Sequence, residues 1–317
     1  MNRLGLVFLL VFSAGLHVLA QNDPAPTDSP AAERLPGSPA APSLPDLTPD
    51  KNGKLSQPQM QQLFRIVADK DMQNDRLLRN YTYVEREVDT ELDGKGRTKS
   101  SKERTYDILE IYGEQVERLT EKDDKPLSEK EAAKEEEKVQ KLIDKRKNES
   151  ESDRKKREDK EEKERQEGRE FVRDVADAYN FTLVGTETVG GRDAWVIDGE
   201  PRAGFIPHAK DAKYLSKFHG RVWIDKADLQ LAKLDVECLD TISWGLFLAR
   251  FHKGSRFMLE QTRVNHEVWL PLHVTAKIDA RLALFKGIDV NVDQSYHDYK
   301  KFRATGRVLG VIEPQQK

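Results

Sequence analysis

The chain has 317 residues, of which 34% are charged, yet its net charge is only −3 and it holds a single cysteine. Near-balanced charge with no basic patch excludes an electrostatic platform for nucleic acid, and a lone cysteine excludes an intramolecular disulfide framework.

Residues 1–20 read as a secretory signal. Arg3 gives the basic start, residues 4–19 are apolar, and Val18 and Ala20 set cleavage after Ala20. The mature chain is therefore expected outside the cytoplasm. Residues 21–55 turn to Pro, Ala, Ser and Asp, a composition that cannot bury enough surface to offset its ordering entropy, and are expected to form a disordered linker.

Ser56 is a plausible N-cap, with Pro58 in the first turn, for a helix whose stripe runs through Met60, Leu63, Phe64, Val67, Leu77 and Leu78. Residues 48–59 also have half the pattern of a calcium loop. Thr48 and Gln59 stand where that loop needs Asp and Glu, so the segment reads as a turn and helix cap and no metal is assigned.

Alternation over 80–92, a turn at 93–96 and a return through 97–119 predict a hairpin or meander. Residues 128–169 then become almost wholly Glu, Lys, Asp and Arg, opened by a capping-box pair, Ser128 and Glu131. Only Ala132, Val139, Leu142 and Ile143 form a thin apolar stripe, which predicts a solvated helix or helical hairpin inserted at about 124–170. A short amphipathic helix through Phe171, Val172, Val175, Ala176 and Tyr179 follows.

Strands are predicted over 181–189, 193–198, 220–225, 229–238, 256–264, 268–277, 281–285 and 288–296, with turns at Gly190-Gly191, Lys226-Ala227 and Asn265-His266. Such a meander builds either a sandwich or a curled half-barrel. The helix at residue 56 favours the half-barrel, because it can close the mouth. The fold class expected is therefore mainly β with helices (α+β): an unclosed antiparallel half-barrel over residues 56–310, capped by helices and carrying the charged insertion.

The most apolar window after the signal is 240–251, holding Trp244, Phe247 and Phe251. Its periodicity fixes neither helix, strand nor loop, and it reads either as packed core or as the rim of a cavity. Trp195, Trp223, Trp269 and Phe257 lie in strands, where the core and a cavity wall are the same surface. Cys238 alternates in phase with Leu234 and Val236, as a buried apolar residue does. His208, His219, His252, His266, His273 and His297 have no metal-ligand spacing, and Ser216, Ser243 and Ser255 lack a nucleophile elbow, so no catalytic set or cofactor is assigned.

Three pieces carry a family resemblance. They are the hairpin Leu183-Val184-Gly185-Thr186-Glu187 through Gly191-Arg192-Asp193-Ala194-Trp195-Val196-Ile197-Asp198, the strand Gly220-Arg221-Val222-Trp223-Ile224-Asp225 with its return at 231–236, and Val268-Trp269-Leu270-Pro271. In these the chain resembles the LolA-like superfamily of periplasmic carriers and lipid-binding modules. The resemblance implies a periplasmic, non-enzymatic carrier that holds a lipid or acylated lipoprotein in an apolar cavity, with transient contact at a membrane surface. The ligand-binding residues it implies are Trp195, Trp223, Trp244, Phe247, Phe251, Phe257, Trp269 and Arg250, beneath a lid helix bearing Leu63, Phe64 and Val67. The alternative is an envelope sensor or scaffold whose charged arm meets a protein partner.

Overall fold

The computed structural model describes residues 48, 50–51, 55–78, 80–112, 114–244, 249–282 and 286–302. The signal, nearly all of the linker, Phe247 and the side chain of Trp244 lie outside the described residues. The rest is dominated by one antiparallel sheet. Strand β1 (Tyr81–Leu92) starts a meander through β2 (Thr98–Ile111), β3 (Glu114–Lys122) and the short β4 (Lys125–Pro126). A second meander runs through β5 (Tyr179–Val189), β6 (Arg192–Pro201), β7 (Phe218–Asp225), β8 (Leu231–Cys238), β11 (Arg256–Val264), β12 (Val268–Leu282) and β13 (Lys286–Lys301).

Pairing of β13 with β1 joins the two meanders, giving the order β4-β3-β2-β1-β13-β12-β11-β8-β7-β6-β5. The sheet is unclosed. Its open edges are β4 with β3 on one side and β5 on the other. The expected half-barrel is therefore the architecture observed.

The chain passes from one open edge to the other through two helices, α2 (Glu129–Lys147) and α3 (Glu151–Ala178), with α1 (Gln57–Leu78) preceding the sheet. Ser128 and Glu131 form the expected capping box, and Ser150 caps α3 by accepting from the Asp153 N–H. The short amphipathic helix expected after 170 is not separate. Charged and amphipathic stretches form one 28-residue helix, because no Gly-Pro break intervenes and Gly168 alone does not stop propagation.

Helix α2 lies along β3. Its Glu135 accepts from the Leu119 N–H at 3.4 Å and its Lys138 donates to the Glu117 carbonyl at 3.3 Å, so side chains cover backbone groups that β4 is too short to pair. Of the expected strand over 281–285, Arg281 and Leu282 are the end of β12, which runs unbroken to Leu282, and 283–285 lie outside the described residues. The turn residues Gly190, Gly191, Asn265 and His266 all take positive φ, the backbone that tight hairpins require.

Gly220 permits one close contact. It faces Gly199 on β6 and Val236 on β8, and a Cβ there would lie 2.6 Å from Val236 Cγ1 and 3.0 Å from the Asp235 carbonyl oxygen. Gly220→Ala is expected to lower stability by about 1–3 kcal/mol through overpacking. A denaturant midpoint equal to the parent's would refute this packing.

No described helix is long and apolar enough to cross a membrane.

Candidate ligand-binding face

One face of the sheet, the inner one, carries α1. Ladder pairing puts Phe181, Ile197, Val222 and Leu234 on it, followed by Leu259, Val274, Gln294 and Glu87. From β5 to β13 this face is mostly apolar.

Its first part is sealed by helices. Met60, Leu63, Phe64 and Val67 of α1 pack with Phe181, Ile197 and Ile224, while Phe171 and Ala176 of α3 close the side. Phe64 stacks on Phe181 with ring centroids 3.8 Å apart. Trp195 packs against this cluster.

Helix α1 is fastened at both ends by side-chain amides that imitate a neighbouring strand. Gln57 donates to the Phe181 carbonyl at 2.6 Å and accepts from the Phe181 N–H at 3.2 Å, on the free edge of β5. Asn74 does the same for the carbonyl and N–H of Trp269, beyond the point where β13 stops pairing with β12. Between them Lys70 donates to the Asp228 carbonyl and accepts, through its own carbonyl, from Gln230. At the N-terminus Gln59 caps Ser56 and donates to the Thr48 carbonyl, so the side chain standing at the twelfth calcium-loop position works as a helix cap.

Among the described residues, the second part of the inner face has none from α1, α2 or α3 in its cluster. Cys238, Ile242, Phe251, Ala276, Ile278, Ala280 and Val290 are buried together, with Phe257, Ile288, Val292, Phe218 and Tyr214 against them. The apolar window that periodicity left open contributes two short strands here, β9 (Ile242–Trp244) and β10 (Ala249–Phe251). Strand β10 continues the β11 edge along the far end of β12, and this sets Phe251 opposite Ala280 and Ile242. A cleft of about 30 Å³, room for one water molecule, lies where the two apolar clusters meet, lined by residues that include Tyr179, Leu215, Phe218 and Val236.

The sequence-derived candidates thus separate. Leu63, Phe64, Val67 and Trp195 share the helix-sealed cluster, and Phe251 and Phe257 share the second one. Trp223 stands on the outer face with Ala194 and Val196, its indole N–H donating to Glu187 at 2.7 Å. Arg250 is exposed and alternates with Phe251, opposite Arg281, so it too leaves the inner face. Trp269 is buried beside the β7–β8 turn, where its indole N–H donates to Asp228 at 3.0 Å and the Arg192 guanidinium lies 5.6 Å above its ring.

Past β13 the inner face changes character. Tyr83, Glu85, Glu87 and Asp89 of β1 project with Arg104, Tyr106 and Ile108 of β2, Glu117 of β3, and Gln294 and Tyr296 of β13. Burial, then the charges of Glu117 and Glu87, pushes the Glu85 carboxyl up to about 8. Burial, followed by nearby carboxylates, also raises the phenols of Tyr83 and Tyr296. Sequence reading missed this cluster, since alternating Tyr and Glu has the signature of a solvent face. Among the described residues no group of three or more His, Cys, Asp or Glu side chains is arranged to hold a metal ion.

No protein-family model matches the chain, and no curated protein matches it. Solved structures similar to it include a putative outer membrane lipoprotein-sorting protein domain from Vibrio parahaemolyticus, 13% identical, covering 76% of this chain and 95% of that one at a TM-score of 0.30. A LolA superfamily protein from Nitrosomonas europaea is 9% identical over 78% of this chain and 94% of that one, with a TM-score of 0.28. The MucA/MucB complex of Pseudomonas aeruginosa gives 11% identity, 75% and 94% coverage, and a TM-score of 0.21. The Nitrosomonas europaea structure carries the family name that the strands resemble. None of these scores bears on ligand or partner.

Proposed function

We propose that this protein is a periplasmic, non-enzymatic binder of lipid or of an acylated lipoprotein, and that acyl chains lie on the inner face over β8 and β10–β13. The observation that supports this most is the division of that face. One half is filled by α1, while the other gathers Phe251, Phe257, Ile278 and Val290 with no residue from a long helix among them. Each methylene moved from water onto such a surface contributes about 0.8 kcal/mol, without directional demands, so capture is strong yet tolerant of chain type.

This reading assigns Phe251 and Phe257, with Trp244 and Phe247 from the neighbouring window, to the chain-binding wall. Trp195 backs the sealed half, while Trp223, Trp269 and Arg250 have no part in the wall.

Phe257→Ala is expected to weaken binding of a phospholipid about 10- to 100-fold, since burying a phenyl ring contributes about 1.5–3 kcal/mol and 1.4 kcal/mol is a factor of ten. Native mass spectrometry of the protein purified from periplasm, followed by titration with dihexanoyl phospholipid, measures it. A folded variant with parental affinity would remove Phe257 from the wall, and a parent that takes up no lipid at all would overturn the reading.

A sensor or scaffold role has its own support, because residues 151–156 at the start of α3 are all exposed to solvent. Removing the arm separates the two roles. A carrier keeps its lipid, whereas a scaffold loses a protein partner.

A further inference from the structure

The tyrosine and glutamate cluster beyond β13 lies next to the apolar wall on the same strand, since Val290, Val292, Gln294 and Tyr296 alternate along β13 on the inner face. Tyr83 is its centre, with the ring of Tyr299 5.1 Å away and that of Tyr296 6.0 Å away. Tyr106 stands across the β1–β2 ladder from Glu85. Aromatic walls over carboxylates make a surface that attracts cations through both ring faces and charge.

Charge in the cluster is not balanced. Arg104 bonds Glu87 and Asp89. Among the described residues Glu85 receives the Gln294 amide alone, which donates at 3.1 Å to both Glu85 and Glu87 and accepts from the Tyr296 hydroxyl at 3.2 Å. Among the described residues no basic side chain is paired with Glu85 or with the exposed carboxylate of Glu117, which faces the same space. A second signal is independent of the acids. The amide nitrogen of Gln115, whose oxygen accepts from the Tyr83 hydroxyl at 3.5 Å, is buried with no acceptor. A buried donor left unpaired costs about 1–3 kcal/mol unless something supplies the missing oxygen.

We propose that this cup binds the head group of an aminolipid. Its primary ammonium would sit between the rings of Tyr83, Tyr106 and Tyr296 and pair with Glu85 and Glu117. Its phosphodiester oxygen would accept from Gln115. The acyl chains then continue over Val292 and Ala276 onto the apolar wall, so this inference rests on the lipid-binding reading for the source of the ammonium.

Pairing requires the Glu85 carboxyl to ionise. At neutral pH it holds its proton, because burial first, and then the charges of Glu117 and Glu87, push it up to about 8, while the phenols of Tyr83, Tyr106, Tyr296 and Tyr299 stay neutral. Binding therefore releases up to about one proton to the buffer near pH 7.

The test compares dihexanoyl phosphatidylethanolamine, dihexanoyl phosphatidylglycerol and soluble glycerophosphoethanolamine by calorimetry in two buffers of different ionisation enthalpy. The expected result is at least tenfold tighter binding of the ethanolamine lipid than of the glycerol lipid, with proton release for the former only. Glu85→Gln, which mimics the protonated carboxyl and so keeps the fold, is expected to abolish both the preference and the proton release. Glu117→Gln reduces the preference in part. Equal affinity for the two lipids overturns the cup while leaving the carrier reading intact. Binding of glycerophosphoethanolamine without either lipid supports the cup, assigns its ammonium to a soluble source and removes the carrier reading. Absence of all binding overturns both.

Discussion

Asp225→Ala is expected to lower the free energy of unfolding by about 2–4 kcal/mol, because it strands the N–H groups of Ala227 and Asp228 and takes from Arg192 its bidentate partner. Asp225 ends β7 with its side chain 1% exposed. The carboxylate accepts from Arg192 Nε at 2.6 Å and Nη2 at 2.9 Å, and from the N–H groups of Ala227 and Asp228 at 3.0 and 2.7 Å. One acid thus ties hairpin β5–β6 to the β7–β8 turn. Arg192 in turn reaches Asp228, which also receives Arg263 and the Trp269 indole.

Burial by itself would raise the Asp225 pKa, but the guanidinium and the two backbone donors overcome it and hold the carboxyl below the usual carboxylate range. A depressed folded-state pKa gives stability that is complete above the unfolded value, about 4, and is lost as pH falls through the folded value. The gap between parent and Asp225→Ala should therefore be constant from neutral pH to about 4 and shrink below it. Chemical denaturation at several pH values checks both statements. A gap under about 1 kcal/mol at neutral pH would show that the pair is no more than surface decoration.

Asn74→Ala is the second large effect, about 2–4 kcal/mol, because it strands the N–H and the carbonyl of Trp269 together in a buried place. Gln57→Ala should cost less, since its pair is only partly buried. The two sites are 17 residues apart, about 25 Å along the helix, and their costs should add. Amide hydrogen exchange at Trp269 gives a local readout, which should quicken in Asn74→Ala and stay slow in Gln57→Ala. A helix that behaves as a loose lid would show neither effect. These fastenings, with Leu63 and Met60 fully buried, make α1 part of the core rather than a freely swinging cover.

Much of this fold is legible in the residues. Alternation such as Leu231–Cys238, where every second residue is buried, declares a half-buried strand, and the balanced charge of 128–169 declares a solvated helical arm. The stripe Met60, Leu63, Phe64, Val67 gave the helix that covers the sheet. Polar residues with inward roles were not legible. Gln57 and Asn74 have the composition of a wet helix face, yet they serve backbone groups on strands more than 100 residues away. In β1 the alternation misleads outright, because Val84 and Val88 take the outer face while Tyr83, Glu85 and Glu87 turn inward. The window at 240–251 failed for a different reason. A three-residue strand such as β10, which pairs along the end of β12, or β9, which pairs with β10, needs no period of its own.

The path from β4 to β5 through the arm constrains motion. Those strands are the two lips of an open trough, and α2 and α3 are rods of about 28 and 42 Å that lie along one lip and lead back to the other. They meet at Glu149, which is clasped by Arg146 at 3.1 Å and Arg157 at 2.9 Å with its side chain only 8% exposed. Two stiff bars and one pin form a caliper. The two open edges of the sheet are therefore bridged by a path whose one corner is an ion-paired clasp, and a change in their spacing would have to be taken up at that corner or along the helices themselves.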